Sequence, residues 1–488
     1  MIEVYLTAAI SRNEIYNVIR IFDKTNQIDF GEENVLLQEG LQLFIENSRI
    51  SLYEEGKIIE ETDIRIDALE YFNEEDNEKL KIAIRHSLYS ILSKHYSNES
   101  KYGILTGTRP VKLVRTTQDS GYDRHQIERI LNQTYQMDPD TIGRVLSICS
   151  VEKTLLNKDP GSVSLYIGIP FCPSRCHYCS FISEVCSDEI ELDRYLDILV
   201  EELAIKTDIL QSNNLSIKSV YVGGGTPTVL SDRQLSRLFK AIRSHYNLVQ
   251  DMEFTVEAGR PDTITPLKLQ TMKANGVNRI SINPQSMNDS TLRQIGREHT
   301  VSDVIRAFEE ARSVGFRTIN MDLINGLPGE DIHSAENNLA YIRQLKPENV
   351  TVHNLSIKRG SDYYNENYVN LIGADESEKV NRLYRTELDK SGMRTYYLYR
   401  QKNIANNEDN YGYAYPGYEC LYNMNIIEEI QTIIGFGAGS VTKIPDLENG
   451  RIHRIPSNRN LQTYKNKLKS NYLITKQTIE HIGGRRHG

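Results

Sequence analysis

From residue 163 onward, short apolar runs alternate with stretches whose apolar residues recur every three or four positions, the texture of strand followed by helix. SLYIGI (164–169) and KSVYVG (218–223) read as strands, as do EFTVEAG, RISINPQ, TINMDLI and VTVHNLS, which begin near 253, 279, 318 and 351. Between the first two, Leu192, Tyr195, Leu196, Leu199 and Leu203 mark one face of a helix. Ser231-Asp-Arg-Gln234 is a capping box that opens another, with Leu235, Leu238, Phe239 and Ile242 on its apolar side. Ala274-Asn-Gly276 and Ser313-Val-Gly315 are turns between later units. Six β/α units in series predict an α/β fold, a parallel sheet curled into a partial (β/α)6 TIM-like barrel, open because a closed one takes eight. Chemistry in such sheets gathers at the carboxyl ends of the strands.

The first 155 residues have a different texture and predict a small α/β domain with a helical connector. Met1 to Ile10 reads as a strand, and Ser11-Arg-Asn-Glu14 caps a helix through Ile15, Val18, Ile19 and Phe22. LQLFIEN and RISLYEE are further strands, with a turn at Glu54-Glu-Gly-Lys57. A helix is expected from about Glu75 to His95. TGTRPVKL (106–113) breaks the helical pattern with Gly107 and Pro110, and two helical stretches then lead up to Leu156. KDPG (158–161) is a natural boundary, which gives domains of 1–155, 160–390 and 391–488. The last opens after a helix at about 376–391 with a Tyr-rich strand, RTYYLYRQKNI. It continues through a less regular region containing EEIQTIIGFGAGSVTK (428–443) to a tail, GGRRHG, expected to be disordered.

At 488 residues the chain exceeds one ordinary core. A net charge of -9 argues against general binding to nucleic acid or acidic membranes, though not against a local basic groove. No apolar run is long enough to span a bilayer, and MIEVYLTAAISRNE lacks the form of a signal peptide. Six cysteines, three of them crowded, do not make a disulfide framework and point to the reducing cytoplasm.

Those three, Cys172, Cys176 and Cys179, follow the first strand of the array in GIPFCPSRCHYCSF (168–181). Three soft ligands without an obvious fourth allow a zinc site completed by His177 or Cys186, a redox-only cluster, or a cubane with one iron open to a small molecule. His177 adjoins Cys176, so both could reach one metal only through a sharp fold, and no second CxxC pair completes a zinc knuckle.

The loop C-x3-C-x-Y-C after a strand resembles the signature of the radical S-adenosylmethionine (SAM) superfamily. Within it, the chain is most similar to oxygen-independent coproporphyrinogen III oxidase and its relatives. The matching stretches are YIGIPFCPSRCHYC (166–179), VGGGTPT (222–228), VEAGRPD (256–262), RISINPQSM (279–287), IGREHT (295–300) and MDLINGLPGE (321–330). The resemblance implies a [4Fe-4S] cluster on Cys172, Cys176 and Cys179 with SAM on the fourth iron. It implies that Gly224, Gly225 and Thr226 meet the methionine amino group, that Glu257, Gln285, Arg297 and Asp322 bind SAM, and that Tyr166 lies near both. YGILTGTRPVKLVR (102–115), the long leader and EEIQTIIGFGAGSVTK resemble the HemZ-type branch, commonly described as coproporphyrinogen dehydrogenase.

The activity implied is reductive cleavage of SAM to a 5′-deoxyadenosyl radical by an external electron donor such as flavodoxin or ferredoxin. Oxidative decarboxylation of the propionates of coproporphyrinogen III to vinyl groups then gives protoporphyrinogen IX. A substrate with four carboxylates calls for cations, and Lys358, Arg359, Arg400 and Lys402 are candidates by position. The authentic oxidase carries a further cysteine two positions after the third cluster ligand; Phe181 stands there instead. Its C-x-Y-C-x-F form is shared with heme-handling relatives, so a heme-binding chaperone on the same fold is the alternative, with a radical methyltransferase or ring-opening enzyme acting on heme behind it. The chaperone's HN-x-x-YW element has no full match: Glu408-Asp-Asn410-Tyr-Gly-Tyr413 lacks the His, and the chain has no Trp.

Overall fold

Ser11 and Glu14 form the capping box that their spacing predicts, and the helix Arg12–Phe22 buries Ile15, Val18 and Ile19. This is seen in a computed structural model that describes all residues except 24–25, 32–38, 66–75, 157–158, 160, 181–183, 367, 369–371, 402–407 and 486–488. Glu75, Lys158, Pro160, Phe181, Lys402 and the last three residues of the tail therefore lie outside the described residues. The chain divides into the units Met1–Ser150 and Val151–Gly488, and the division falls within the helix Pro139–Leu155.

In the first unit, strands β1 (Ile2–Leu6), β2 (Ile28–Gly31), β3 (Leu41–Ile45), β4 (Arg49–Glu54) and β5 (Lys57–Asp63) form a sheet in the order β2-β1-β3-β4-β5. β1 runs parallel to both its neighbours, while β3, β4 and β5 are antiparallel. Glu55 and Gly56 turn β4 into β5 with φ of 49° and 72°, the double positive φ of a two-residue hairpin whose twist matches its strands. Helices Arg12–Phe22 and Asp76–Tyr96 pack together, and Pro110 opens Pro110–Asp119 at a position where its missing N–H costs nothing.

The second unit is built on one sheet. Its strands are β6 (Ser162–Ile169), β9 (Ser216–Gly224), β10 (Glu253–Glu257), β11 (Arg279–Ser281), β12 (Thr318–Asn325), β13 (Asn349–Asn354), β14 (Arg394–Arg400), β15 (Asp409–Ala414), β16 (Thr432–Phe436), β17 (Val441–Asp446) and β18 (Arg451–Pro456). β7 (Phe171–Cys172) and β8 (Glu184–Val185) pair separately, in parallel, in the cysteine loop. The sheet order is β14-β15-β13-β12-β11-β10-β9-β6-β16-β17-β18. β6 and β9 to β13 are parallel in sequence order, the open α/β array that the periodicity predicts. β16 adds a further parallel strand beside β6, and antiparallel pairs finish both edges.

Helices Glu189–Ser212, Asp232–His245, Pro266–Ala274, Val301–Val314 and Ile332–Leu345 return the chain between parallel strands. Leu192, Leu196, Leu199 and Leu203 are fully buried, as are Leu235, Leu238, Phe239 and Ile242, so the apolar faces read from the sequence are the faces that pack. With the helices covering the strands, polar side chains near the strands' carboxyl ends are left to make a site. No helix among the described residues is long and apolar enough to cross a membrane.

Candidate functional site

The cysteine loop leaves β6 and is pinned on several sides. Cys186 N–H donates to Cys172 O at 3.2 Å, Cys179 N–H to Cys176 O at 3.0 Å, and His177 N–H to Ile295 O at 3.1 Å. The His177 imidazole Nδ1 lies 3.1 Å from Asp362, and Arg175 donates to Gly360 O. Cys176 is buried, whereas Cys172 and Cys179 are partly open. The Thr226 hydroxyl donates to Cys172 Sγ at 3.5 Å, and Arg260 Nη1 to Cys176 Sγ at 3.7 Å. The two side chains considered as a fourth ligand point to other partners. His177 is held by Asp362, and Cys186 Sγ donates to Glu191 at 3.3 Å, with burial and that carboxylate raising its thiol pKa. Among the described residues, no three His, Cys, Asp or Glu side chains converge closely enough for one metal ion. A cubane does not require that convergence, because its thiolates bind separate irons.

β9 runs into Gly223-Gly-Gly225, beside the same loop. A Cβ at Gly225 would stand 2.4 Å from Phe171 O, and one at Gly223 would stand 2.8 Å from Glu257 Cδ. Gly224 has φ of 113°, so the segment tolerates no side chain and lies against both the loop and Glu257. Its amide donors are spent: Gly224 N–H on Glu257 Oε2 (3.1 Å), Gly225 N–H on Ile169 O (2.8 Å) and Thr226 N–H on Phe171 O (2.7 Å). A ligand meeting this segment therefore meets carbonyl oxygens, which suit an ammonium group. Tyr221 Oη donates to Glu257 Oε1 at 2.6 Å, and its ring stacks on Tyr422 with centroids 4.4 Å apart. Tyr166 stacks on the same pair at 6.3 and 6.2 Å. Burial pushes the Glu257 carboxyl up to about 7; nearby Asp322 adds to the rise, and the hydrogen bonds from Tyr221 and Gly224 oppose it.

Gln285 and Arg297 both follow β11, and Asp322 lies in β12. Arg297 is buried, donating to Gly259 O (3.0 Å), Asn283 O (2.8 Å) and Tyr178 Oη (3.1 Å), while its Nε has no hydrogen-bond partner. Gln285 holds φ of 68°, an uncommon conformation for a side-chain-bearing residue, and its buried Oε1 is also without a partner. Its backbone bridges to β12 through Asp322 O and Ile324 N–H, which fixes it next to Asp322. Burial opposes ionisation of Asp322, yet His353 at 3.7 Å, Asn320 and Thr351 hold its carboxyl below the usual range. Tyr399 Oη lies 3.1 Å from the other nitrogen of His353.

Of the cations expected to meet a carboxylate substrate, Lys358 is half-buried and close enough to Cys179 to interact with it, and burial lowers its pKa. Arg359 is exposed, and Arg400 Nε lies 3.6 Å from Asp409. The sequence assigned no role to Tyr221, Tyr422, His353 or Arg260. Only the last carried a signal, since it stands inside VEAGRPD (256–262), where two acidic side chains and an Arg follow a strand end.

Residues 166–368 match the radical SAM superfamily. The chain is 34% identical over 466 residues to the oxygen-independent coproporphyrinogen-III oxidase-like protein HemZ of Bacillus subtilis (strain 168), covering 93% of each protein. It is 34% identical over 278 residues to the heme chaperone HemW of the same organism, 57% of this chain and 70% of that one. Coproporphyrinogen III oxidase (HemN) from Escherichia coli, whose structure is described as that of a radical SAM enzyme, shares the fold with a TM-score of 0.53 at 22% identity, over 66% of this chain and 73% of that one. The chain belongs to the radical SAM superfamily and, within it, to the oxygen-independent coproporphyrinogen III oxidase-like family that includes HemZ.

Proposed function

We propose that the strand-end site binds a [4Fe-4S] cluster on Cys172, Cys176 and Cys179, with SAM at the open iron, and carries out radical oxidation of a tetrapyrrole. The residues present fit those groups. Three thiols stand on one anchored loop beside buried guanidinium groups, and two buried polar atoms, Gln285 Oε1 and Arg297 Nε, await a partner. The single observation that carries the assignment is Arg297. It follows β11, reaches Tyr178 within the cysteine loop, and keeps one N–H for an anion. When bound, the cluster and SAM supply hydrogen-atom abstraction from an unactivated carbon.

The chain's own residues divide the work of holding SAM. Carbonyl oxygens around Gly224, Gly225 and Thr226 take the ammonium, the free N–H of Arg297 takes the carboxylate, and Glu257, Asp322 and Gln285 accept from amino or hydroxyl groups. Tyr166, stacked on Tyr221 and Tyr422, walls the site and keeps bulk water from it. Lys358, beside the loop, is the cation best placed to meet a substrate propionate. The substrate that best suits this family is coproporphyrinogen III, oxidised without oxygen to a divinyl product, with electrons delivered by a small flavin or iron–sulfur carrier. A second function, binding heme for transfer, is favoured by the match to HemW and by nothing in the geometry.

Anaerobic incubation of the reconstituted protein with SAM, a reductant and coproporphyrinogen III tests the proposal. Deoxyadenosine together with vinyl product is expected. Deoxyadenosine alone overturns the substrate assignment, and stoichiometric heme binding without turnover favours the chaperone. C172A, C176A and C179A should each lose the cluster's visible absorbance while C186A keeps it. Equal loss in C186A would mean a fourth protein ligand and no vacancy for SAM.

A further inference from the structure

Arg260 reaches the cysteine loop from outside it, and neither cluster ligation nor SAM binding uses it. It is 4% exposed, deeper than a cation sits without a reason. Nη1 donates to Cys176 Sγ at 3.7 Å and to Ser174 O at 3.5 Å, and Nη2 donates to Ser174 Oγ at 2.9 Å. On its other side Nε and Nη2 fork onto the Asp262 carboxylate at 3.1 Å each. The backbone is fixed as well: Arg260 O accepts from Thr263 N–H at 2.9 Å and from the Thr263 hydroxyl at 2.7 Å, closing the turn Pro261–Thr263. His299 Nδ1 stands 3.5 Å behind Asp262. If neutralising Asp262 were the whole role, the fork alone would serve. Here Nη1 is directed at the loop, at both Ser174 and the Cys176 sulfur.

We propose that Arg260 is a positioning residue of the cluster site, tying the cysteine loop through Ser174 and setting, through its hydrogen bond to the Cys176 sulfur, how readily a cluster on the three thiolates accepts an electron. This rests on the assignment of a cluster to those thiolates. Hydrogen bonds to cluster sulfurs and the local net charge are the levers by which a protein sets such a potential. A fixed positive charge beside a thiolate favours the state that carries the extra electron, and burial leaves that charge weakly screened. Asp262 offsets part of the charge, so the two residues act in opposite directions on the same couple.

The test is a redox titration of the reconstituted holoprotein, followed by electron paramagnetic resonance of the reduced cluster, with iron content measured in parallel. R260Q should lower the ratio of reduced to oxidised cluster at a fixed potential by about tenfold, equivalent to about 59 mV for a one-electron couple. R260K, which keeps the charge but not the fork, should lie between R260Q and the wild type. D262N should shift the ratio the other way, a reversal that a merely loosened loop would not produce. Should R260Q fail to hold iron, R260K and D262N decide the matter, and potentials identical to wild type in both overturn the inference. Failure of the wild type to assemble a cluster, or retention of it in C176A, would instead overturn the cluster assignment, and the inference with it.

Discussion

Glu257 has been placed where its charge is expensive. Its carboxyl accepts from Tyr221 at 2.6 Å and from Gly224 N–H at 3.1 Å, yet burial and the proximity of Asp322 outweigh both and raise it from 4.5 to about 7. Below about 4.5 the group is protonated in the folded and unfolded chains alike, and it contributes nothing to pH dependence there. Between 4.5 and about 7 the unfolded chain ionises and the folded one does not, so stability falls as pH rises. At about 1.4 kcal/mol per unit the loss across that window is of the order of 3 kcal/mol. E257Q removes it while leaving Tyr221 and Gly224 their partners, since the amide oxygen accepts from Gly224 and the tyrosine oxygen accepts from the new NH2. In urea melts of the ligand-free protein, the wild-type minus E257Q difference should run downhill from pH 5 to pH 7 and flatten above it. A flat difference throughout would show that Glu257 ionises freely.

At the scale of elements, the site depends on contacts between segments far apart in the chain. Glu253 begins β10, and its carboxylate accepts from Leu421 N–H at 2.7 Å and Tyr422 N–H at 2.9 Å. It thereby caps the helix Leu421–Glu428, whose own cap residue, Cys420, makes no side-chain cap bond. That helix carries Tyr422 to its stack on Tyr221 and Tyr166. E253A should cost about 1–2 kcal/mol, the worth of a lost cap, and speed hydrogen exchange at Leu421 and Tyr422. Unchanged exchange there would mean that packing alone holds the helix. Local signals made much of this fold legible in the sequence. The short apolar runs of β6 and β9 to β13 stand where the pattern put them, and the capping boxes at Ser11 and Ser231 form as spaced. The helix read as about 376–391 is Ala374–Lys390. Residues 409–456, by contrast, read as less regular and supply β15 to β18; β17 and β18 pair locally, but Ile434 of β16 pairs with Leu165, a register no local pattern encodes. Tyr221 was silent for the same reason, and Arg260 had only its place in VEAGRPD, since each acquires meaning from the carboxylate or sulfur brought beside it.

Across the second unit as a whole, a buried ion pair on the helix Glu189–Ser212 ties in the last helix through a hydrogen bond from Tyr464. Glu202 and Lys206, 1% and 2% exposed, face each other at 2.7 Å on Glu189–Ser212. Lys206 Nζ also donates to Gly435 O at 2.6 Å, while Glu202 Oε2 accepts from Gly437 N–H at 2.7 Å and from Tyr464 Oη on the helix Leu461–Arg485. Gly437 has φ of 95° and packs so closely that a Cβ would stand 2.4 Å from Gly168 O, next to where the cysteine loop begins. The pair therefore holds the helix Glu189–Ser212 to the end of β16 and to the C-terminal helix, close to the cysteine loop. Desolvating two charges offsets most of their attraction, so the intact pair adds little net stability, but removing one partner strands the other. E202A leaves a buried ammonium without its counter-ion and strips the acceptor from Gly437 and Tyr464, which should cost about 3–5 kcal/mol in a denaturant melt. Replacing both residues by Met removes the stranded charge and should recover part of that loss, leaving the unmet N–H and O–H as the remainder. Equal instability of E202A and the double variant would show that the hydrogen bonds to Glu202, and not its charge balance with Lys206, bind the C-terminal segment to the sheet.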